Sequence, residues 1–550
     1  MKQSCVLLCI LALLLTACGG RSSRRPAPTA VGQTLPSSTS TSRLTPTAPS
    51  PGTPAGTSSS ATVGVTVTPA TPTEATATVE TTPAPDAMAA RVVRGRTSPR
   101  CQLARQGPAD REGLGDPLFP QLGNGGYDAL HYTLDLSVDV SRGALSGTAT
   151  MTARAVQDLL ALNVDLEGLT VQRVDVNGAR AKYSRAGREL SIALPEEVRR
   201  GERFDVRVTY GGVPDPTIEG APTKTGWINY EGGSYVVSEP AGAATWYPVN
   251  DHPCDKAAYT FRITVPEPYV VAANGLLRTT RDNGNTRTYH WEARDPMASY
   301  LATVGIGRFT TQTQRGPGGL PIRNYFPADL ADSAPQIFAR TPEVVQFFNR
   351  LFGPYPFEAY GVVVVDEELG FALETQTLSV FGRDAIENRG FAEVALVHEL
   401  AHQWFGNSVS LKRWGDIWLN EGFATYAELL WVESQQGRAE LDRRLREVYS
   451  AGGQGTSLVP VGRQRAENLF NPAVYYGGAL TLHALRVRVG DESFFRILRT
   501  YYDRYRDGNA GTEDFIAVAE EVSGRDLHSF FAAWLYGEEL PPIPEMGLGG

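Results

Sequence analysis

Basic charge, histidine and cysteine are all scarce in this chain of 550 residues. Asp and Glu number 60 against 51 Lys and Arg, a formal net charge of -9. No basic run is longer than Arg21 to Arg25. Phosphate backbones are held by clustered Lys and Arg, so nucleic acid is excluded as a partner. No apolar run reaches the about 20 residues that a membrane-spanning helix needs. From Gly19 to Pro99 large apolar side chains are almost absent. That stretch buries too little surface to offset its ordering entropy, which excludes a core there. Elsewhere the chain is ordinary: hydrophobic residues make up 42% and charged residues 20%, as in a soluble globular protein. Its length exceeds what one core needs, so two or more domains are expected.

What is present begins with Met-Lys-Gln-Ser, an apolar run from Cys5 to Leu15, and then Thr16-Ala17-Cys18-Gly19. A cationic start, a short apolar stretch and small residues describe a secretory signal. Leu15-Thr16-Ala17-Cys18 also resembles the lipobox of bacterial lipoproteins, where the Cys becomes the lipid-modified first residue of the mature chain. The expectation is a signal over residues 1–18 and a chain exported to the outer side of the cell membrane, anchored through a lipid at Cys18. The alternative is a secreted protein. Residues 19–110, rich in Thr, Ser, Pro and Ala, read as a tether whose coil would span roughly 50 Å. Of the 5 cysteines, Cys5 and Cys9 leave with the signal and Cys18 takes the lipid. Cys101 and Cys254 remain, and an oxidising compartment permits them to pair.

Ordered sequence resumes near Gly115. Tyr132–Val140 and Gly147–Ala153 alternate apolar and polar residues, and strand-like runs follow at Val171–Val176, Phe204–Tyr210, Tyr259–Val265, Tyr269–Ala273 and Arg287–Ala293. Val176-Asn177-Gly178 and Asp282-Asn283-Gly284-Asn285 have hairpin-turn chemistry. An antiparallel β domain over residues 111–312 is predicted. Beyond Gly316-Pro317-Gly318-Gly319 the character changes. Ala334–Phe352 has helical spacing, Tyr360–Asp366 reads as a strand, and helices dominate to Trp534. The fold class is therefore α+β and multidomain, with a mostly helical domain over residues 313–545.

That second domain contains Val397-His398-Glu399-Leu400-Ala401-His402, an H-E-x-x-H pattern. Phe391 to Phe405 holds neither Pro nor Gly, and on a helix His398 and His402 share one face, close enough to chelate one ion. Glu399 sits beside that ion and is placed to take a proton from water. Only 7 His occur in the chain, which makes an accidental pair at this spacing rare. Nineteen residues after His402, within Trp418-Leu419-Asn420-Glu421-Gly422, stands Glu421. Gly406, Asn407, Ser408 and Gly415 lie between and can turn the chain back. Two imidazoles and one carboxylate leave a fourth position for water, the arrangement of a catalytic zinc. Asp416 is a candidate to orient a ligand histidine from behind. His131, His252, His290, His483 and His528 are isolated and read as packed or exposed. Gly113 to Gly126 follows no strand-then-helix pattern and reads as a loop.

H-E-x-x-H, eighteen residues and then Glu, inside W-L-N-E-G-F-A-T-Y, resembles the gluzincin aminopeptidase family of aminopeptidase N and leukotriene hydrolase. The likeness runs from about residue 115 to 545 and includes Trp246 to Ala257, similar to the stretch with which the family's β domain approaches the site. It implies an N-terminal β domain, a thermolysin-like catalytic domain, and one zinc ion per chain on His398, His402 and Glu421. Because the sequence stops about where that catalytic domain should stop, the resemblance implies a form without the family's large helical C-terminal domain. The family anchors the substrate ammonium with a glutamate in a G-x-M-E-N edge strand. Here that stretch is Phe371-Ala372-Leu373-Glu374-Thr375, with the acid kept and its Gly, Met and Asn replaced. The resemblance also implies an anchoring role for Glu239, and for Tyr475, in Tyr475-Tyr476-Gly477-Gly478, donation to the oxyanion of the reaction. Gly477 stands where the family has Lys, and Tyr476 is the rival to Tyr475.

The implied activity is release of N-terminal residues from peptides with a free amine, with Glu399 as the proton acceptor and zinc as the cofactor. Two alternatives stand beside it. One is an endopeptidase or other zinc hydrolase on the same scaffold. The other is a non-catalytic surface lipoprotein that uses the domain for binding.

Overall fold

The computed structural model describes residues 113–454 and 457–549. The signal, the lipobox cysteine Cys18, the tether and Cys101 lie outside the described residues. Cys254 is disulfide-bonded, and the other four cysteines of the chain lie outside the described residues as well.

Alternating patterns in the first half produce strands with one buried face. In Tyr127–Asp139 the residues Tyr132, Leu134, Leu136 and Val138 point inward while Asp135 and Ser137 face solvent. An eight-stranded sheet runs in the order Leu276–Asp282, Thr286–Met297, Ala257–Pro266, Tyr127–Asp139, Ala144–Ala155, Arg203–Gly212, Thr170–Val176, Ala179–Arg180. Its pairings are antiparallel except one. Tyr127–Asp139 runs parallel to Ala257–Pro266, a long-range crossover that period-two alternation does not encode. Asn177 (φ 49°) and Gly178 (φ 82°) make the left-handed turn of one predicted hairpin. A four-stranded sheet of Val270–Ala273, Val304–Gly307, Gly233–Val237 and Gly226–Tyr230 delivers the chain to Ser238 and Glu239.

The second half opens with a five-stranded sheet: Phe309–Arg315, Pro321–Pro327, Tyr360–Val365, Ser379–Gly382 and, at its edge, Ala372–Leu373. The Gly316–Gly319 turn joins the first two of these strands, so the expected limit at 312/313 falls inside Phe309–Arg315. The helical run expected over Ala334–Phe352 is broken. It is a four-residue turn at Ala334–Ile337, a 3₁₀ turn at Phe338–Arg340, and α1 at Thr341–Phe352. Pro342 supplies no N–H to the preceding turn and starts a new helix instead.

The site is carried by α2 (Arg389–Ala401) and α3 (Trp418–Gln436). Asn388 caps α2 through its side-chain oxygen, which accepts from the Phe391 amide at 3.2 Å. The helix stops at His402, earlier than its composition suggests. There the amides of Asn407, Ser408 and Val409 bond back to the carbonyls of His402, Gln403 and Trp404, and Gly406 adopts φ 126°. Behind these lie α4 (Arg438–Gly453), α5 (Gly478–Val489), α6 (Asp491–Tyr505), α7 (Thr512–Ser523) and α8 (His528–Tyr536). Among the described residues no helix is long and apolar enough to cross a membrane.

The two halves are packed together by polar contacts that matter for the site. Lys256, half-buried, donates to the carbonyls of Asn407 at 2.7 Å and Ser408 at 3.0 Å. Asp116, in the glycine-rich loop, accepts from the Trp414 amide at 2.9 Å and lies 3.2 Å from His252. The Asn509 side chain donates to Pro253 O at 2.8 Å. The stretch from Trp246 to Ala257 is thus the β domain's docking edge.

Candidate metal centre

On α2, one turn apart, His398 and His402 bring their rings to 4.7 Å between centroids. Glu421 enters from the first turn of α3, where unpaired amides and the helix dipole favour a negative charge. Its Oε2 lies 3.2 Å from His398 Nε2 and 3.5 Å from His402 Nε2. A tetrahedral ion with bonds of about 2.0–2.1 Å separates its ligand atoms by about 3.3 Å, so these edges fit zinc. The donor set, two imidazoles and a carboxylate, also suits it.

The remaining ring nitrogens are held from behind. His398 Nδ1 lies 2.6 Å from Glu428 Oε1, and His402 Nδ1 lies 3.1 Å from the Phe405 carbonyl. These contacts fix the tautomers so that both Nε2 atoms, each near Glu421 Oε2, are free to take an ion. Glu428 was not singled out from sequence, although its position two helical turns after Glu421 on α3 is the signal that could have found it. Asp416, the candidate for this duty, is occupied elsewhere. Its Oδ1 accepts from the amide and hydroxyl of Thr512 at 3.2 and 2.7 Å.

Around this triad the structure gathers the other acids expected of the site. Atoms of Glu374, Glu399 and His402 lie within 4.8 Å of one another, as do those of Glu239, Glu374 and Glu421. Glu239 arrives from the β domain, Glu374 from the residue after the edge strand Ala372–Leu373, and Glu421 from α3. Glu239 Oε1 and Glu374 Oε1 are buried with no hydrogen-bond partner. Burial raises the Glu239 carboxyl well above its ordinary range, and Glu374, Glu421 and Glu399 push it further. Burial also raises Glu374 and Glu399; among their neighbours Glu421 adds to the rise and the two histidines oppose it. Unpaired carboxylates held together away from water are costly unless cations join them. The cluster is therefore built for positive charge in two adjoining places.

Tyr475 and Tyr476 take different directions. The Tyr475 ring lies 6.1 Å from the His398 ring, nearly parallel to it. Burial raises its phenol, and Glu421, Glu239, Glu374 and Glu399 all bear on it. Tyr476 is raised first by burial and then by Glu428 behind the site. The pair sits in a π-helical turn, Ala473–Gly477, a local widening common at functional sites and invisible to helical periodicity. The isolated histidines stay outside the cluster. His483 bonds Tyr426 Oη at 3.0 Å and His131 bonds Thr260 Oγ1 at 3.0 Å.

Residues 128–301 match the peptidase M1 N-terminal domain and residues 338–534 the peptidase family M1 domain. A crystal structure of an M1 zinc metallopeptidase variant from Deinococcus radiodurans, bound to a Tyr-Ser-Ala substrate, is 34% identical. The match covers 79% of this chain and 100% of that one, with a TM-score of 0.74. Aminopeptidase M1 of Arabidopsis thaliana is 25% identical over 442 residues, covering 75% of this chain and 50% of that protein. Aminopeptidase N of Streptomyces lividans is 26% identical over 396 residues, covering 68% and 46%. The chain thus spans about half the length of these curated relatives.

Proposed function

This chain belongs to the peptidase M1 family, and from that premise we propose that it is a zinc aminopeptidase, releasing single residues from the free N-terminus of peptides. The observation that carries the reading is the trio Glu239, Glu374 and Glu421, buried, mutually within 4.8 Å and placed beside the metal ligands. A substrate ammonium is the cation that such a pocket lacks. An endopeptidase has no use for it, since its substrate presents a neutral amide there.

His398, His402 and Glu421 would hold the zinc, which when bound would supply a Lewis acid toward the scissile carbonyl and toward water. Glu399 takes the proton of the attacking water and passes it to the leaving amine. The Tyr475 phenol donates to the oxygen on which negative charge develops. Glu374 and Glu239 hold the ammonium, and the open edge of Ala372–Leu373 offers backbone groups to pair with an extended substrate. With the ammonium so fixed, the first peptide bond alone reaches the water that Glu399 activates.

A panel of aminoacyl amides and their N-acetyl counterparts tests this. The free amines should be cleaved and the acetylated ones not, and Glu374→Ala should abolish the difference. Glu399→Gln should retain zinc and lose about 10²–10⁴-fold in kcat. Equal cleavage of blocked and free substrates by the native protein would end the exopeptidase reading. Localisation rests on sequence: the signal-like start and the lipobox support an exported chain, lipid-anchored at Cys18. Metabolic labelling with a radioactive fatty acid, lost in Cys18→Ser, is the expected result, and an unlabelled native chain would remove the anchor.

A further inference from the structure

Between the edge strand and the next strand of the sheet, residues 374–378 form a loop under conformational strain. Thr377 has φ 67°, a left-handed backbone that β-branched residues rarely adopt. Such a conformation persists only where the surroundings impose it, and here they do so from two sides. From the β domain, Asn274 Nδ2 donates to the Gln376 carbonyl at 2.6 Å, the Gly275 amide donates to Thr377 Oγ1 at 2.8 Å, and the Leu301 carbonyl accepts from the Gln376 amide at 3.2 Å. From the end of the zinc helix, Asn407 Nδ2 and Gln403 Nε2 both donate to the Glu374 carbonyl, at 2.6 and 3.1 Å. Gln403 Oε1 accepts from the strained Thr377 amide at 2.9 Å. The same Gln403 amide group lies 3.4 Å from the carbonyl of Glu399.

Gln403 and Asn407 are fully buried and touch none of the metal ligands' coordinating atoms in the contacts above. What they join is the backbone of Glu374 to the helix that carries Glu399. We propose that Gln403 and Asn407 are positioning residues that set the distance between the ammonium anchor Glu374 and the proton acceptor Glu399, and thereby the one-residue register of cleavage. The strain in Thr377 gives the loop a reason to move when the clamp is cut. The inference rests on the anchoring role of Glu374 proposed above.

The test uses the full-length zinc-loaded protein, with Gln403→Met, which keeps the volume and removes the donor and acceptor. KM for an aminoacyl amide should rise about tenfold, the effect of one buried hydrogen bond, with zinc content unchanged and kcat altered far less. In a Glu374→Ala background the same substitution should change KM by no more than about twofold, because its effect passes through that side chain. Asn407→Leu carries the same expectation and stands in if Gln403→Met is insoluble. An unchanged KM, or an equal rise with and without the Glu374 carboxylate, overturns the proposal. The two readings fail separately. If Glu374→Ala leaves KM unchanged, the ammonium assignment is wrong; if it raises KM and neither clamp variant does, only the clamp is wrong.

Discussion

At the scale of single residues, the site is a set of charges that make sense only together. His398, His402, Glu421 and Glu399 were legible from one motif and one spacing, because a helix places i and i+4 on one face whatever the rest of the fold does. Glu428 was not, although it supports His398 at 2.6 Å and stands two helical turns after Glu421, since no motif marks that position as a support. Its role is measurable. Glu428→Ala should weaken zinc binding about 10–100-fold in competition with a chelator while the fold persists. Unchanged affinity would mean that the contact does not orient the ring. Asp416 illustrates the opposite error: it is close in sequence to Glu421, but its Oδ1 is taken by Thr512 and its Oδ2 lies 3.5 Å from Arg413 Nε.

At the scale of elements, position depends on how closely helices approach. α3 and α5 meet at Gly422 and Gly478, where a Cβ on either residue would lie 2.8 Å from the other's Cα. That contact sits one residue beyond Glu421 and one turn beyond Tyr475, so it sets how near the tyrosine comes to the metal ligands. Gly478→Ala should push the helices apart, cost about 1–3 kcal/mol by overpacking and lower kcat more than stability alone explains. Thermal unfolding with steady-state kinetics would check it, and native kcat in a folded variant would deny the contact any part in placing Tyr475. Sequence alternation located the long strands such as Tyr127–Asp139, Ala144–Ala155 and Ala257–Pro266, because alternation records burial directly, while the histidine motif and the turn residues after it placed α2 and α3. Periodicity missed the break at Pro342 and the π-helical turn at Tyr475, where one residue's backbone geometry departs from the average that a period measures.

At the scale of the molecule, burial of titratable groups ties stability to pH. His483 is fully buried, and burial, then the charges of Arg438 and Arg486, lower its pKa to about 3 against the partial opposition of Asp442 and Asp491. Its folded value lies below the ordinary value of 6.5, so the unfolded chain binds the proton first. The stabilisation is complete above pH 6.5 and drains away as pH falls toward 3. At pH 5 the loss is about 2 kcal/mol, from 1.36 kcal/mol per unit. Denaturant unfolding of the native chain and of His483→Gln between pH 7 and 5 should show the slope in the first and its reduction in the second. Equal slopes would assign acid sensitivity to other groups.

The amino-acid sequence alone determined the candidate metal ligands and the candidate proton acceptor, the order of a β region before a helical one, and a segment too polar to build a core. Each is written in local spacing or composition, which folding does not alter. Only the tertiary structure decided that Glu239, Glu374 and Glu421 share one pocket, that Tyr475 and not Tyr476 turns toward it, and that Gln403 and Asn407 grip the loop between them. Those residues come from distant stretches of chain, and their meeting depends on sheet order and helix approach, which burial patterns do not carry. A cluster of mutually repelling acids is held by the whole fold or not at all.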